Sequence, residues 1–302
     1  MNEPKIPWGI THKVTTPAPK PTKAPPPSEE RLKLMIANGG ADVAQLIIDD
    51  YGLPYKIVDN KLVDSLVGSD RWLQKFITVD TDTLSMLDDV RKLAKSNDEV
   101  LIIGETGTGK ELISKGMIGD RKGMTVAVNC AGLPDTLIES ELFGHVRGSF
   151  TGADKDKNGL MAAAKEGVLF LDEIGELSMN VQAKLLRAIQ DRRIRKVGSN
   201  TDEEITCKIV CATHRNIKQM VKDGTFREDL YARISTFELH IKALRYRTCD
   251  VVPIIQSLKS GPEFLEACAA RTIIPTSLDL SLNVRSLQQY VRRFAVLGRV
   301  GT

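Results

Sequence analysis

No apolar run in this 302-residue chain reaches the roughly eighteen residues that a membrane-spanning helix needs. Prolines interrupt the N-terminus where a secretion signal would keep an apolar core. Cysteine is scarce. Five of them, an odd number, do not make a disulfide framework in a chain this long. Cys207 and Cys211 lie within one apolar run with no second pair, which fits buried thiols better than a zinc site. An excess of one charge is also missing: 42 Lys and Arg face 39 Asp and Glu, for a net charge of +3. So small an imbalance gives no reason to expect strong unspecific binding to nucleic acid. These absences exclude a membrane protein, a stapled secreted module and a basic nucleic-acid coat. A protein of the reducing cytoplasm is expected. Hydrophobic residues at 42% supply a core, and the length suggests one large or two smaller domains.

What is present is unevenly distributed. Residues 1–27 hold eight of the thirteen prolines and cannot bury a core, so a mobile tail is expected. It is a tether or, through Trp8, a docking peptide. Residues 28–61 read as a small helical segment, with helices at 29–37 and 42–51 stopped by Gly39-Gly40 and by Gly52. Asp42, Asp49 and Asp50 on the second helix would repel phosphates, which argues against DNA reading there.

From about Leu62 apolar runs alternate with amphipathic ones. Strand-like runs fall at 100–103, 124–128, 168–171 and 208–212, and helical patterns at 82–95 and 181–189. Buried strands between helices imply a mainly parallel sheet covered on both sides, a three-layer α/β domain over 62–243. After Ile241 the pattern is helical only: 251–259, 263–271 and 284–297, a small all-helical lid domain over 244–302.

The run Gly104-Glu105-Thr106-Gly107-Thr108-Gly109-Lys110 sits between the first strand and a helical stretch, the setting of a phosphate-binding loop. Glycines let backbone N–H groups turn toward phosphate oxygens, and the helix start adds partial positive charge. Lys110 would reach the outer phosphates as a point charge. Glu111 stands where Ser or Thr usually supplies a hydroxyl to Mg²⁺. A second strand, Val168-Leu169-Phe170-Leu171, ends in Asp172 and Glu173, whose carboxylates should emerge at the carboxyl edge of the sheet beside that loop. Asp172 is placed to hold Mg²⁺ and Glu173 to polarise a water. Together the two elements point to hydrolysis of a nucleoside triphosphate, with Mg²⁺.

At this point the chain resembles the AAA+ domain of sigma-54-dependent transcription activators, the bacterial enhancer-binding proteins. The resemblance runs from about Leu66 to Leu297. In that family a Glu follows the phosphate-loop Lys, as Glu111 does here. Asn129-Cys130-Ala131-Gly132-Leu133 and Glu139-Ser140-Glu141-Leu142-Phe143-Gly144-His145 match as well. The most diagnostic block is Gly148-Ser149-Phe150-Thr151-Gly152-Ala153, similar to the sigma-engaging loop Gly-Ala-Phe-Thr-Gly-Ala.

The resemblance implies further roles. Asn129 would hold and switch Glu173, and Thr213 would sense the γ-phosphate. Arg227 and Arg233 would reach a neighbouring subunit's nucleotide, and Arg285 would act as a second sensor on the lid. It implies an ATPase in a ring, a hexamer, with Phe150 as an exposed contact tip on the sigma-54 factor of the RNA polymerase holoenzyme. Neither His145 nor His214 is assigned as a metal ligand. Leu280-Ser281-Leu282 stands where the family has Trp-Pro-Gly, and Ser286 where it has Glu. No helix-turn-helix follows Thr302, so direct DNA binding is not expected. Two alternatives stand beside this reading: an AAA+ remodeller of another protein or replication target, and a nucleotide-gated binding module with little turnover.

Overall fold

The computed structural model describes residues 55–58, 61–64, 70–271, 273 and 275–299. The proline-rich tail and the expected helices at 29–37 and 42–51 lie outside them. The chain divides between Ser65 and Leu66 into two compact units. In the first, β1 (Tyr55–Val58) and β2 (Lys61–Asp64) form an antiparallel hairpin, with Tyr55 opposite Asp64 and Val58 opposite Lys61. The stretch expected to be a small helical segment over 28–61 therefore ends in strand. Ile57, Val58 and Val63 are β-branched, which favours strand.

The second unit opens with α1 (Asp70–Leu73) and α2 (Thr81–Ala94). Asp80 caps α2 by accepting the Thr83 N–H at 2.9 Å. Met86, Leu87, Val90, Leu93 and Ala94 make its buried stripe. There follow β3 (Val100–Ile103), α3 (Lys110–Gly116), β4 (Thr125–Asn129) and α4 (Asp135–Phe143). A two-residue hairpin, β5 (Gly144–His145) with β6 (Lys157–Asn158), brackets a surface loop, and α5 (Leu160–Ala163) leads into β7 (Val168–Asp172). Then come α6 (Met179–Asp191), the hairpin of β8 (Arg193–Arg195) and β9 (Asp202–Glu204), and β10 (Lys208–Thr213). The sheet closes through α7 (Ile217–Lys222), α8 (Glu228–Ile234) and β11 (Phe237–His240). Three further helices complete the chain: α9 (Val251–Ser257), α10 (Gly261–Ala270) and α11 (Val284–Leu297).

The five-stranded sheet has the order β11-β3-β10-β7-β4, and every pair in it is parallel. Alternate residues feed two cores. Leu101, Leu169, Leu171, Ile209 and Cys211 pack with α4, α6 and α8, while Val100, Ile102, Phe170, Val210 and Ala212 pack with α1, α2 and α3. That is the three-layer α/β arrangement with a parallel sheet. The three last helices have their own apolar core, built around Ile255, Phe264, Leu287 and Val291. Removing Leu287 to alanine there would cost roughly 2–5 kcal/mol. Among the described residues no helix is long and apolar enough to cross a membrane.

The strand order decides where a ligand can sit. β3 and β10 are neighbours although two other strands of this sheet, β4 and β7, come between them in sequence, and such a crossover opens a crevice at the carboxyl ends. The register aligns Ile103 with Thr213 and Asn129 with Asp172 along that edge.

Candidate functional site

The loop Gly104–Lys110 leaves β3 at this crevice. Gly104 N–H donates to the Thr213 carbonyl at 3.1 Å, so the ladder between β3 and β10 extends one step into the loop. Two glycines are required by geometry. Gly107 has φ +80, and a Cβ on it would lie 2.1 Å from the Leu282 carbonyl oxygen. Gly109 has φ +109, and a Cβ there would meet the Phe76 ring at 2.6 Å. Lys110 opens α3 and is buried. Its Nζ lies 3.0 Å from the Gly104 carbonyl and 3.4 Å from Glu173 Oε1. Glu111 sits at the rim, its carboxylate paired with Lys115 at 2.7 Å.

Asp172 ends β7 and Glu173 follows it, opposite Lys110. Burial raises the Asp172 carboxyl above its ordinary range; Lys110 offsets this in part, and the Glu173 charge adds to it. Burial pushes Glu173 the same way, but the hydrogen bond from His214 and the charge of Lys110 outweigh it and hold its carboxyl below the usual range. Two adjacent carboxyls driven in opposite directions is a division that acid–base sites show. Glu173 itself adopts φ 53, ψ 50, a left-handed conformation uncommon for a residue with a Cβ. Its Oε2 accepts from His214 Nδ1 at 2.7 Å and from the His214 N–H at 3.2 Å.

The structure differs here from the expected partner. Asn129 lines the cleft, but its Oδ1 accepts the Ala131 N–H at 2.9 Å and Glu173 is held by His214. Thr213 is fully buried, and its hydroxyl accepts the Arg215 N–H at 3.0 Å.

The lid is sewn to the phosphate loop. Asn283 is fully buried at φ 56. Its Nδ2 donates to the Thr106 carbonyl at 3.0 Å and to Glu105 Oε2 at 3.2 Å, and its Oδ1 accepts the Leu244 N–H at 2.6 Å. The next residue, Val284, donates its N–H to the Gly107 carbonyl at 3.1 Å. Arg245 grips Glu105 with two bonds, at 2.7 and 2.5 Å, and keeps that carboxyl ionised. Arg247 is buried and donates to Asp250 at 2.8 Å and to the Thr108 carbonyl at 3.2 Å. Asp250 in turn accepts from the Thr78 hydroxyl and the Val79 N–H. Arg285 lines the same cleft, and Ser286 Oγ accepts the Leu282 N–H at 3.0 Å.

The resulting cleft has a volume of about 450 Å³, between Phe76 and Ile77, the loop Thr106–Leu112, Asp172 and Glu173, and the lid residues Ile254, Leu258 and Arg285. Apolar walls at one end and a lysine with two carboxylates at the other suit a flat base joined to a polyanion. Mg²⁺ fits this donor set, because it is commonly bound by one or two carboxylates together with substrate phosphates, and Asp172 is the carboxylate available.

The family profile described as the sigma-54 interaction domain matches residues 76–240, more than half of the chain. The chain belongs to the sigma-54 interaction domain family. Among curated relatives, the transcriptional regulatory protein GlrR of Escherichia coli (strain K12) is 43% identical over 201 residues, covering 65% of this chain and 45% of the relative. The Nif-specific regulatory protein of Azotobacter vinelandii is 40% identical over 226 residues, 72% of this chain and 43% of the relative. This sigma-54 interaction domain thus spans less than half the length of these relatives. NtrX from Brucella abortus, solved in complex with ATP, has the same fold, with a TM-score of 0.62 at 23% identity over 91% of this chain and 57% of that one.

In this sigma-54 interaction domain the block Gly148–Ala153 forms the loop between β5 and β6. It is folded on itself: Gly148 N–H donates to the Ala153 carbonyl at 2.8 Å, and Ala153 N–H to the Phe150 carbonyl at 3.0 Å. Phe150 is not the exposed tip expected of it. It is half-buried, its ring edge-on to His145 with centroids 4.9 Å apart, and Thr151 and Gly152 form the exposed crest. His145 is fixed from below by Ser140 Oγ at 2.8 Å from its Nδ1.

Arg227 precedes α8 at its N-cap and Arg233 lies in its last turn, and neither lines the cleft of its own chain. Arg227 pairs with Asp229 at 2.7 Å, while the Nε of Arg233 is buried without a hydrogen-bond partner.

Sequence reasoning found the contiguous motifs and passed over His214, Arg245, Arg247 and Asp250. The available signal was positional. His214 follows a buried strand at the carboxyl edge, where side chains emerge beside the ligand crevice.

Proposed function

We propose that this chain is an ATPase of the AAA+ class that couples hydrolysis to remodelling of the sigma-54 RNA polymerase holoenzyme, in the cytoplasm, for transcription initiation. The observation that carries this reading is the convergence of Lys110, Asp172 and Glu173 on one lidded cleft, in a chain that also bears the Gly148–Ala153 loop. Relatives named as transcriptional regulators and an ATP-bound structural neighbour support it.

In this mechanism Lys110 and the loop amides beyond Gly104 bind the triphosphate, and Arg245 and Asn283 hold the loop in shape through Glu105. Asp172 would hold the Mg²⁺ that accompanies ATP, and that ion would offset negative charge on the phosphate oxygens. Glu173, ionised at neutral pH, accepts a proton from the attacking water. His214 orders the Glu173 carboxylate, Asn129 lines the cleft beside it, and Thr213, at the end of β10, lies where it would sense the γ-phosphate. Arg285 reaches the phosphates from the lid. Arg227 and Arg233 act on a neighbouring subunit's nucleotide, where a guanidinium stabilises charge on transferring oxygens, so the active form is a ring, a hexamer. Hydrolysis shifts the loop that carries Ser149, Phe150 and Thr151 against the sigma-54 factor.

The test has two parts. ATP turnover is measured for the wild type and for Glu173→Gln, with a loss of about a hundredfold or more expected. Sigma-54 protein is then offered with ATP plus a transition-state analogue. Turnover equal in the two proteins removes the enzyme reading, and failure to retain sigma-54 removes the partner.

A further inference from the structure

A second cavity lies away from the nucleotide cleft and shares no lining residue with it. Its volume is about 860 Å³, a size usual for small-molecule sites. The last two turns of α6 form one wall, and β8 with the turn 196–199 forms the other. α6 contributes Lys184 and Arg187. On β8, Ile194 turns inward and is buried, so Arg193 and Arg195 share the outward face, and Lys196 follows them. Two carboxylates, Asp191 and Asp202, line the same space.

Three of these cations are already paired: Lys184 with Glu139 at 2.6 Å, Arg195 with Asp202 at 2.7 Å and Lys196 with Glu203 at 2.8 Å. Arg187 and Arg193 are not. Both are exposed, and among the described residues neither makes an ion pair or a hydrogen bond. Free guanidinium forks on the walls of one cavity are a donor set for phosphoryl oxygens, which arginine binds through two parallel N–H···O bonds. The frame beneath them is fixed. Val197 N–H donates to the Gly144 carbonyl at 2.9 Å, and the Val197 carbonyl accepts the Val146 N–H at 3.1 Å. Gly198, at φ +82, packs so closely against the loop 148–153 that a Cβ on it would lie 2.8 Å from that of Ser149. An anion in the cavity would therefore bear on that loop through one shared turn.

We propose that this cavity is a second ligand site, which takes a small anion carrying two or more phosphate groups. Its shape and charge favour such a ligand over a nucleic-acid strand. The cations gather in one recess between a helix and a hairpin, in a chain whose net charge is only +3, and do not form the long basic groove that tracks a strand. Ion pairs as exposed as Arg195–Asp202 are weak, so a polyanion can compete for their cations as well.

The experiment titrates inorganic tripolyphosphate, without metal, into the full chain carrying Lys110→Ala, which silences the lysine of the nucleotide cleft. Binding should remain in this background and be about tenfold or more tighter than that of sulfate. Adding Arg187→Ser and Arg193→Ser should weaken it by about tenfold or more. Adding Asp191→Asn instead should tighten it by about twofold to fivefold, a gain that misfolding does not produce. Binding that is absent, indifferent to these three residues or matched by sulfate overturns the inference. So does a labelled DNA strand that binds more tightly than tripolyphosphate and loses its affinity with the same two arginines, because the occupant is then nucleic acid. None of these readouts involves ATP turnover, so the ATPase reading is tested separately.

Discussion

The two edges of the sheet both bury charge, and they use it differently. At the amino edge Lys208 is fully buried at the start of β10, and its Nζ donates to the carbonyls of Asp98 at 2.6 Å and Ser96 at 3.2 Å. Beside it Arg192 pairs with Glu99 at 2.7 Å and donates to the carbonyls of Asn97 and Cys207. Every one of these donors is spent on the chain's own backbone or on a fixed partner. At the carboxyl edge Lys110, Asp172 and Glu173 also lie deep in the fold, but they face a cleft, where the Asp172 carboxyl is raised and the Glu173 carboxyl lowered. Buried charge aimed at backbone carbonyls fixes a loop. Buried charge aimed at a space is available for a ligand.

Substitutions at the two edges should therefore fail in different ways. The largest effect is expected for Lys110→Ala: nucleotide affinity falls by about a hundredfold or more, while thermal unfolding moves little. Fluorescent-nucleotide titration checks it, and retained affinity would erase the distinction. Lys208→Ala should do the reverse. Two carbonyls lose their donor, and stability falls by roughly 2–4 kcal/mol in urea unfolding, with turnover per folded molecule unchanged.

A pH comparison sharpens the same contrast. Burial, with the nearby Arg121 charge, pushes the Lys208 ammonium down to about 8. The folded state therefore binds this proton less tightly than the unfolded chain. Its penalty is full below pH 8 and is relieved as pH rises from there toward the ordinary lysine value of 10.5. Between pH 7.5 and 9.5 the wild type should gain about 1–2 kcal/mol relative to Lys208→Met, a difference that urea unfolding at the two pH values resolves. The smallest effect belongs to neither edge. Thr151→Ala, on the exposed loop crest, should change ATP hydrolysis by less than about twofold and weaken capture of sigma-54 protein. A collapse of hydrolysis would join that loop to the cleft.

What could be read from the sequence followed from contiguity. β3, β7 and β10 are uninterrupted apolar runs because they are buried on both faces, and α11 shows its stripe over the whole of Val284–Leu297. β11 is less legible. As an edge strand it reads Phe-Glu-Leu-His, with Phe237 exposed, and resembles a loop. The hairpins β5–β6 and β8–β9 are too short to carry any pattern. In the cleft, Lys110, Asp172 and Glu173 announce themselves because each ends an apolar strand or a glycine-rich loop. Arg245 and Asn283 act through partners far away in sequence, and His214 carries only the positional mark of following β10. Phe150 misled for a related reason. Its flanking glycines suggest projection, but the ring that receives it, His145, is set by another pairing altogether.

The position of β3 bears on how the protein is made. Its two hydrogen-bonding flanks are filled by β10 and β11, which begin only at Lys208 and Phe237. On the ribosome, Val100-Leu101-Ile102-Ile103 must wait, with both edges bare, until the chain has been extended past His240. An apolar segment in that condition is a site for wrong pairing and aggregation, so newly made chains should depend on chaperone cover until the last strand arrives.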